Sequence, residues 1–151
     1  MSAMPITFRE RRYLQPGQLI VSATPSAITT ILGSCVAVCL WEPQRGIGGM
    51  NHFMLPMGSA SPRFGPAAME QLVARMREAG ARLPLLRARV YGGASMFELP
   101  AAAQLGRQNA AMAHDFLQRR GIEIVESDTG GTRGRKLIFH TDEGTACLTL
   151  I

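Results

Sequence analysis

The chain has 151 residues, 46% of them hydrophobic and 18% charged, which suits one globular domain over residues 1–151 and excludes intrinsic disorder. No apolar run approaches the roughly 20 residues of a membrane span, and the N-terminal stretch lacks the apolar segment of a signal peptide, so a cytoplasmic protein without membrane insertion is expected. The net charge of +5 comes from 16 basic and 11 acidic residues, but the arginines are scattered and carry no interleaved aromatics, so nucleic acid is not expected as a partner; an acidic protein surface fits the charge equally well.

In chain order, short segments rich in β-branched residues predict strands at Gln18–Ala23, Ala27–Ile31, Val36–Trp41 and Gly46–Leu55. A helix follows over Pro66–Ala79, where Met69, Leu72, Val73 and Met76 recur at i, i+3, i+4 and i+7 and Gly80 stands at the left-handed cap position. A strand at Arg89–Gly92 precedes a second helix over Ala101–Arg120, closed by Gly121, and strands at Ile122–Glu126, Lys136–His140 and Thr145–Ile151 complete the chain. Helices and strands do not alternate regularly, so the pattern predicts an α+β layered domain. Pro56–Pro62 and the glycine-rich Thr129–Gly134 are loops long enough to rim a site.

Three cysteines, an odd number, argue against a disulfide framework in a reducing compartment. Cys35 follows Leu32-Gly33-Ser34, and His52 comes seventeen residues later, inside Gly46-Ile47-Gly48-Gly49-Met50-Asn51-His52. If Val36–Trp41 and Gly46–Leu55 form a hairpin with its turn centred near residue 43 or 44, Cys35 and His52 face each other, and directly opposed side chains have Cβ atoms about 4.5–5.5 Å apart. A thiol beside an imidazole can give up its proton to form a thiolate–imidazolium pair with a depressed thiol pKa. Gly33 lets backbone approach a carbonyl substrate closely, making the amides of Ser34 and Cys35 oxyanion donors, with Asn51 as a further substrate-binding candidate.

The same residues permit plainer uses. A cysteine in an apolar strand can be a small buried hydrophobe, and Cys39 and Cys147 are read as core. Cys35 and Cys39 lie about 13 Å apart along a strand, too far to share a zinc ion or a disulfide, so no metal is expected. His114 and His140 carry no partner pattern and are read as surface or satisfied residues.

The strings Thr29-Thr30-Ile31-Leu32-Gly33-Ser34-Cys35-Val36-Ala37-Val38 and Gly48-Gly49-Met50-Asn51-His52-Phe53-Met54-Leu55-Pro56 resemble the CheD family, the chemoreceptor glutamine deamidases of bacterial chemotaxis. Tyr13-Leu14-Gln15-Pro16-Gly17, the stretch from Ala88 to Phe97, Leu105-Gly106-Arg107-Gln108-Asn109 and the loop from Asp128 to Lys136 extend the likeness along the chain. The resemblance implies a Cys–His–Thr catalytic set, mapping onto Cys35, His52 and Thr29, which stands six positions before the cysteine. Thr30 is its neighbour, and strand parity favours Thr29, since positions 29, 31, 33 and 35 share a face if the chain stays extended.

The implied fold packs mixed β-sheets together with two main helices on the outside, similar to the catalytic domain of the cytotoxic necrotizing factor toxins. The implied activity is that of a protein-glutamine glutaminase: amide hydrolysis on receptor glutamines through a thioester, with no cofactor. Implied partners are the cytoplasmic domains of methyl-accepting chemoreceptors and the phosphatase CheC. A protein acting mainly by binding those partners is the alternative, and a thiol protease or transglutaminase would share the nucleophile.

Overall fold

The computed structural model describes residues 7–95 and 100–151. Among the described residues, nine strands form two mixed sheets, and two α-helices cover one of them. Sheet A has four strands, β1 (Glu10–Tyr13), β3 (Ser26–Leu32), β8 (Arg135–His140) and β9 (Thr145–Leu150), in that spatial order. Sheet B has five, β2 (Leu19–Ser22), β5 (Ile47–Asn51), β4 (Val36–Glu42), β6 (Arg87–Gly92) and β7 (Glu123–Thr129). β1 pairs with β3 and β6 with β7 in parallel; the remaining pairs are antiparallel.

The layers follow from alternation along the strands. In β3, Ser26, Ile28, Thr30 and Leu32 are buried while the residues between them are not, because only one face of sheet A is covered. β4 is buried at every position, because sheet B lies between sheet A and the helices. Ala37, Cys39 and Trp41 point into the inter-sheet core with Ile28, Leu137 and Phe139; Val36, Val38 and Leu40 point to the helix side. Burying a strand on both faces requires the near-continuous apolar run seen from Val36 to Trp41.

Helix α1 (Gly65–Glu78) turns the predicted stripe Met69, Leu72, Val73 and Met76 onto sheet B. It starts with a proline in its first turn and is followed by Gly80 at φ +105°, a left-handed position that suits glycine. Helix α2 (Pro100–Arg119) buries Ala110, Ala113 and Leu117 in the same layer. Among the described residues no helix is long and apolar enough to cross a membrane.

The expected α+β layering and all eight predicted strands are present, with shifts of up to four residues at their ends, the largest where the strand expected to run to Leu55 stops at Asn51. β1 is the strand absent from the expectation. Its residues, Glu10-Arg11-Arg12-Tyr13, are exposed throughout, so they carry no apolar alternation for a pattern to register. Met96 and Phe97, the end of the resembling stretch from Ala88, lie outside the described residues, as do residues 1–6.

Candidate active site

Two features of chain geometry shift the hairpin from its expected register. The turn runs over residues 43–46, with Gly46 at φ +63° and its N–H donating to the Glu42 carbonyl. Cys39 therefore faces Met50, and Val36 faces Phe53. His52 falls opposite Ala37, so Cys35 is its diagonal neighbour on the inter-sheet side. Such a diagonal still allows a long or aromatic side chain to reach across. Cys35 is partly buried at the edge of the inter-sheet cluster, and His52 is 1% exposed.

His52 meets Thr30, not Thr29. The Thr30 hydroxyl lies 2.7 Å from His52 Nδ1 and donates to the Leu14 carbonyl at 2.8 Å. Thr29 faces away on the less buried side of β3, its carbonyl accepting from Leu14 N–H. The parity expectation fails because the chain bends at Gly33 and Ser34 while crossing from sheet A to sheet B. Within β3 itself, Thr30 shares its face with Ile28 and Leu32, and that face looks toward sheet B.

The hydroxyl assigns the imidazole tautomer. A carbonyl can only accept, so the single Thr30 hydroxyl proton goes to Leu14, and Thr30 must accept from His52 Nδ1–H. The proton of a neutral ring then sits on Nδ1 and the lone pair on Nε2. That Nε2 is buried and has no hydrogen-bond partner among the described residues. The Leu14–Gly17 segment is tied to both partners, Leu14 O accepting from the Thr30 hydroxyl and Gly17 N–H donating to the His52 carbonyl at 2.8 Å.

Burial pulls the His52 pKa down to about 4 and pushes the Cys35 thiol up, the latter partly offset by a backbone hydrogen bond. Both shifts favour neutral forms, as desolvation always does. The direction of both shifts favours a thiol beside a neutral imidazole over the expected thiolate–imidazolium pair.

The Gly33-Ser34-Cys35 segment is held by its carbonyls. Gly33 O accepts from Ala94 N–H at 3.0 Å, and Cys35 O accepts from Gly93 N–H at 2.9 Å. Ser34 O accepts from Asn109 Nδ2 at 3.0 Å. Gly92 and Gly93 both have positive φ, and a Cβ on Gly92 would lie 2.2 Å from Cys35 O, so glycine is required for this approach. Behind them the buried Arg135 guanidinium donates to Gly92 O, Gly130 O and Asp128. The glycine loop after β7 is thereby tied through Arg135 to the Gly92 carbonyl. Among the described residues, the N–H groups of Ser34 and Cys35 donate to no main-chain carbonyl, and the Cys35 N–H lies against its own sulfur.

Asn51 does not join this arrangement. It points to the helix side, fully buried, accepting from Val38 N–H at 2.9 Å and placing Nδ2 3.3 Å from Met69 Sδ. One residue of strand alternation separates it from His52 and puts it on the opposite face. Cys39 is buried as expected, but Cys147 is exposed, because edge strand β9 turns it to the uncovered face of sheet A. Among the described residues no three His, Cys, Asp or Glu side chains come together as a metal site. His114 is satisfied by Ala110 O and Ser127 Oγ. The buried Asn109 was not among the candidates; its signal was a polar residue on the apolar stripe of α2, three positions after Gly106.

Comparison with known proteins bears on this geometry. A family model described as CheD chemotactic sensory transduction matches residues 54–149. A protein of Anaeromyxobacter dehalogenans named "Probable chemoreceptor glutamine deamidase CheD 1" is 49% identical over 142 residues, 91% of this chain and 83% of its own length. Proteins of Trichlorobacter lovleyi and Sulfurimonas denitrificans, both named "Probable chemoreceptor glutamine deamidase CheD", are 45% and 40% identical. The alignments cover 90% of this chain and 88% of the first relative, and 94% and 95% for the second.

Proposed function

The chain belongs to the CheD family, and from that premise we propose that it hydrolyses the side-chain amide of chemoreceptor glutamines, with Cys35 as nucleophile. The observation that carries the assignment is the His52 Nε2 lone pair, buried and unpartnered among the described residues on the side of sheet B that holds Cys35.

The neutral resting pair sets the order of proton movement. As Cys35 Sγ bonds to the carboxamide carbon, its proton passes to Nε2, so the thiolate never accumulates. The carbonyl oxygen gains the electron pair of its π bond and is held by the N–H groups of Ser34 and Cys35, a type of contact worth about 2.7–4 kcal/mol per donor. Collapse of this adduct breaks the carbon–nitrogen bond, and the Nε2 proton leaves with the amine as ammonia. Water then attacks the thioester and gives a proton to Nε2; the second collapse breaks the carbon–sulfur bond, returning the thiol and leaving glutamate. Thr30 keeps Nδ1 protonated and the ring fixed throughout, the part played by a carboxylate in other triads.

The substrate side chain must enter from the partly exposed edge at Cys35, since His52 is 1% exposed. A glutamine projecting from a receptor helix fits that access. The test is ammonia release and the amide-to-acid mass change in receptor cytoplasmic fragments, comparing wild type with Cys35→Ala. Complete loss in the variant is expected; retained deamidation overturns the nucleophile, and an inactive wild type overturns the function.

A further inference from the structure

The deamidase reading uses Cys35, His52, Thr30 and two backbone amides, and gives no part to Asn109, a buried polar side chain that touches the site's backbone. Asn109 on α2 is fully buried. Its Nδ2 donates to Ser34 O and to Met54 O, each at 3.0 Å. Both neighbours are carbonyl oxygens, so the amide must present its NH2 end to them. Its Oδ1 is then left buried without a partner among the described residues, an arrangement that packing alone would not favour over an apolar side chain.

The two carbonyls belong to the two halves of the site. Ser34 immediately precedes Cys35, and Met54 lies two residues after His52. Resting on the deamidase reading, we propose that Asn109 is a positioning residue that aims the oxyanion-binding amide of Cys35. The peptide unit supplies the lever. The Ser34 carbonyl and the Cys35 N–H share one rigid trans plane and point in opposite directions. Drawing Ser34 O toward α2 therefore turns Cys35 N–H away from α2, to where the adduct oxygen develops. The preceding plane is set in the same way, because Ala94 N–H holds Gly33 O and so directs Ser34 N–H.

Asn109 can reach both carbonyls because α2 lies against the backbone of the Gly93-Ala94 segment. A Cβ on Gly106 would stand 2.5 Å from Gly93 O and 2.7 Å from Ala94 O. One helical turn later, Asn109 is brought over Ser34 and Met54.

The experiment separates oxyanion aiming from general loosening by comparing two reactions of the same thiol, in a Cys147→Ser background that removes the exposed cysteine. Deamidation of a receptor fragment needs the oxyanion donors; alkylation by iodoacetamide forms no oxyanion. Asn109→Ala is expected to lower kcat about 100-fold with little change in KM, as expected for a contact made in the transition state. The alkylation rate of Cys35 should stay within about threefold of wild type. A kcat within about threefold, or kcat and alkylation falling together, overturns the inference.

Asn109→Asp decides the matter if the alanine variant does not fold. A buried carboxyl facing two carbonyls is biased toward its protonated form, and only that form can donate. The kcat of Asn109→Asp relative to wild type should therefore rise as pH falls, and a pH-independent ratio overturns the proposal. Wild type and Cys35→Ala run alongside. A wild type that releases no ammonia sinks the deamidase reading and this inference with it, whereas an active wild type matched by both Asn109 variants sinks this inference alone.

Discussion

Thr30 and His52 are joined by a 2.7 Å hydrogen bond in which the imidazole Nδ1 donates, because the threonine proton is committed to the Leu14 carbonyl. Thr30→Val keeps the shape and removes the acceptor, leaving the ring free to turn or to change tautomer. A general acid–base group contributes roughly 10²–10⁴ in rate, so kcat is expected to fall by about 10²-fold at least. Thr29→Val should remain within about threefold of wild type. Ammonia-release kinetics on both variants check this, and the reverse ranking would restore Thr29 to the triad.

Burial of His52 has a consequence for stability. Its pKa is pulled from 6.5 to about 4 in the folded chain. Below the unfolded value the unfolded chain takes up a proton that the folded chain refuses, so this contribution is fully present above pH about 6.5 and is lost as pH falls toward about 4, amounting to about 3 kcal/mol in all. Between pH about 7 and 4.5, wild type should lose about 2 kcal/mol more stability than His52→Gln, which cannot titrate. Denaturant melts of both proteins at the two pH values measure it, and parallel losses would mean that the imidazole is not buried in neutral form.

The layering and nearly every element were legible in the sequence because they rest on short-range patterns: the i, i+3, i+4 stripe of α1, the left-handed Gly80, and the apolar run of β4. Cys35 and His52 stood out by residue type. What could not be read was how the chain passes between sheets. The bend at Gly33-Ser34 exchanges the faces of β3 and β4, and that exchange makes Thr30 the partner of His52. The two-residue register shift arose similarly, from Gly46 joining the turn instead of the strand. Asn109 stood in a resembling string but drew no site role, because its partners are main-chain carbonyls of segments 75 and 55 residues away, which no local pattern records.

Asn51 illustrates the other kind of buried asparagine. Its Oδ1 satisfies Val38 N–H inside the helix-facing layer, where an unpaired donor costs about 1–3 kcal/mol. Asn51→Ala should therefore lower stability by about that amount while the folded variant keeps kcat within about threefold of wild type. Thermal melts paired with ammonia-release kinetics test it. A loss of kcat without loss of stability would place Asn51 in the substrate site after all.

Gly106 and Gly121 give a matched pair for testing whether the seat of α2 controls the chemistry. At Gly106 an added Cβ would strike the Gly93 and Ala94 carbonyls, and backbone cannot move aside as a flexible side chain can. The helix must lift, at a cost of about 1–3 kcal/mol for such overpacking, and Asn109 lifts with it from Ser34 O and Met54 O. Gly121 follows the other end of α2 at φ +67° with open space around it, so alanine there meets only backbone strain, of order 1 kcal/mol. Both Gly106→Ala and Gly121→Ala are expected to lower Tm, but only Gly106→Ala should lower kcat, by about tenfold or more. Equal kcat in the two variants would show that the cysteine and histidine segments hold their geometry without α2.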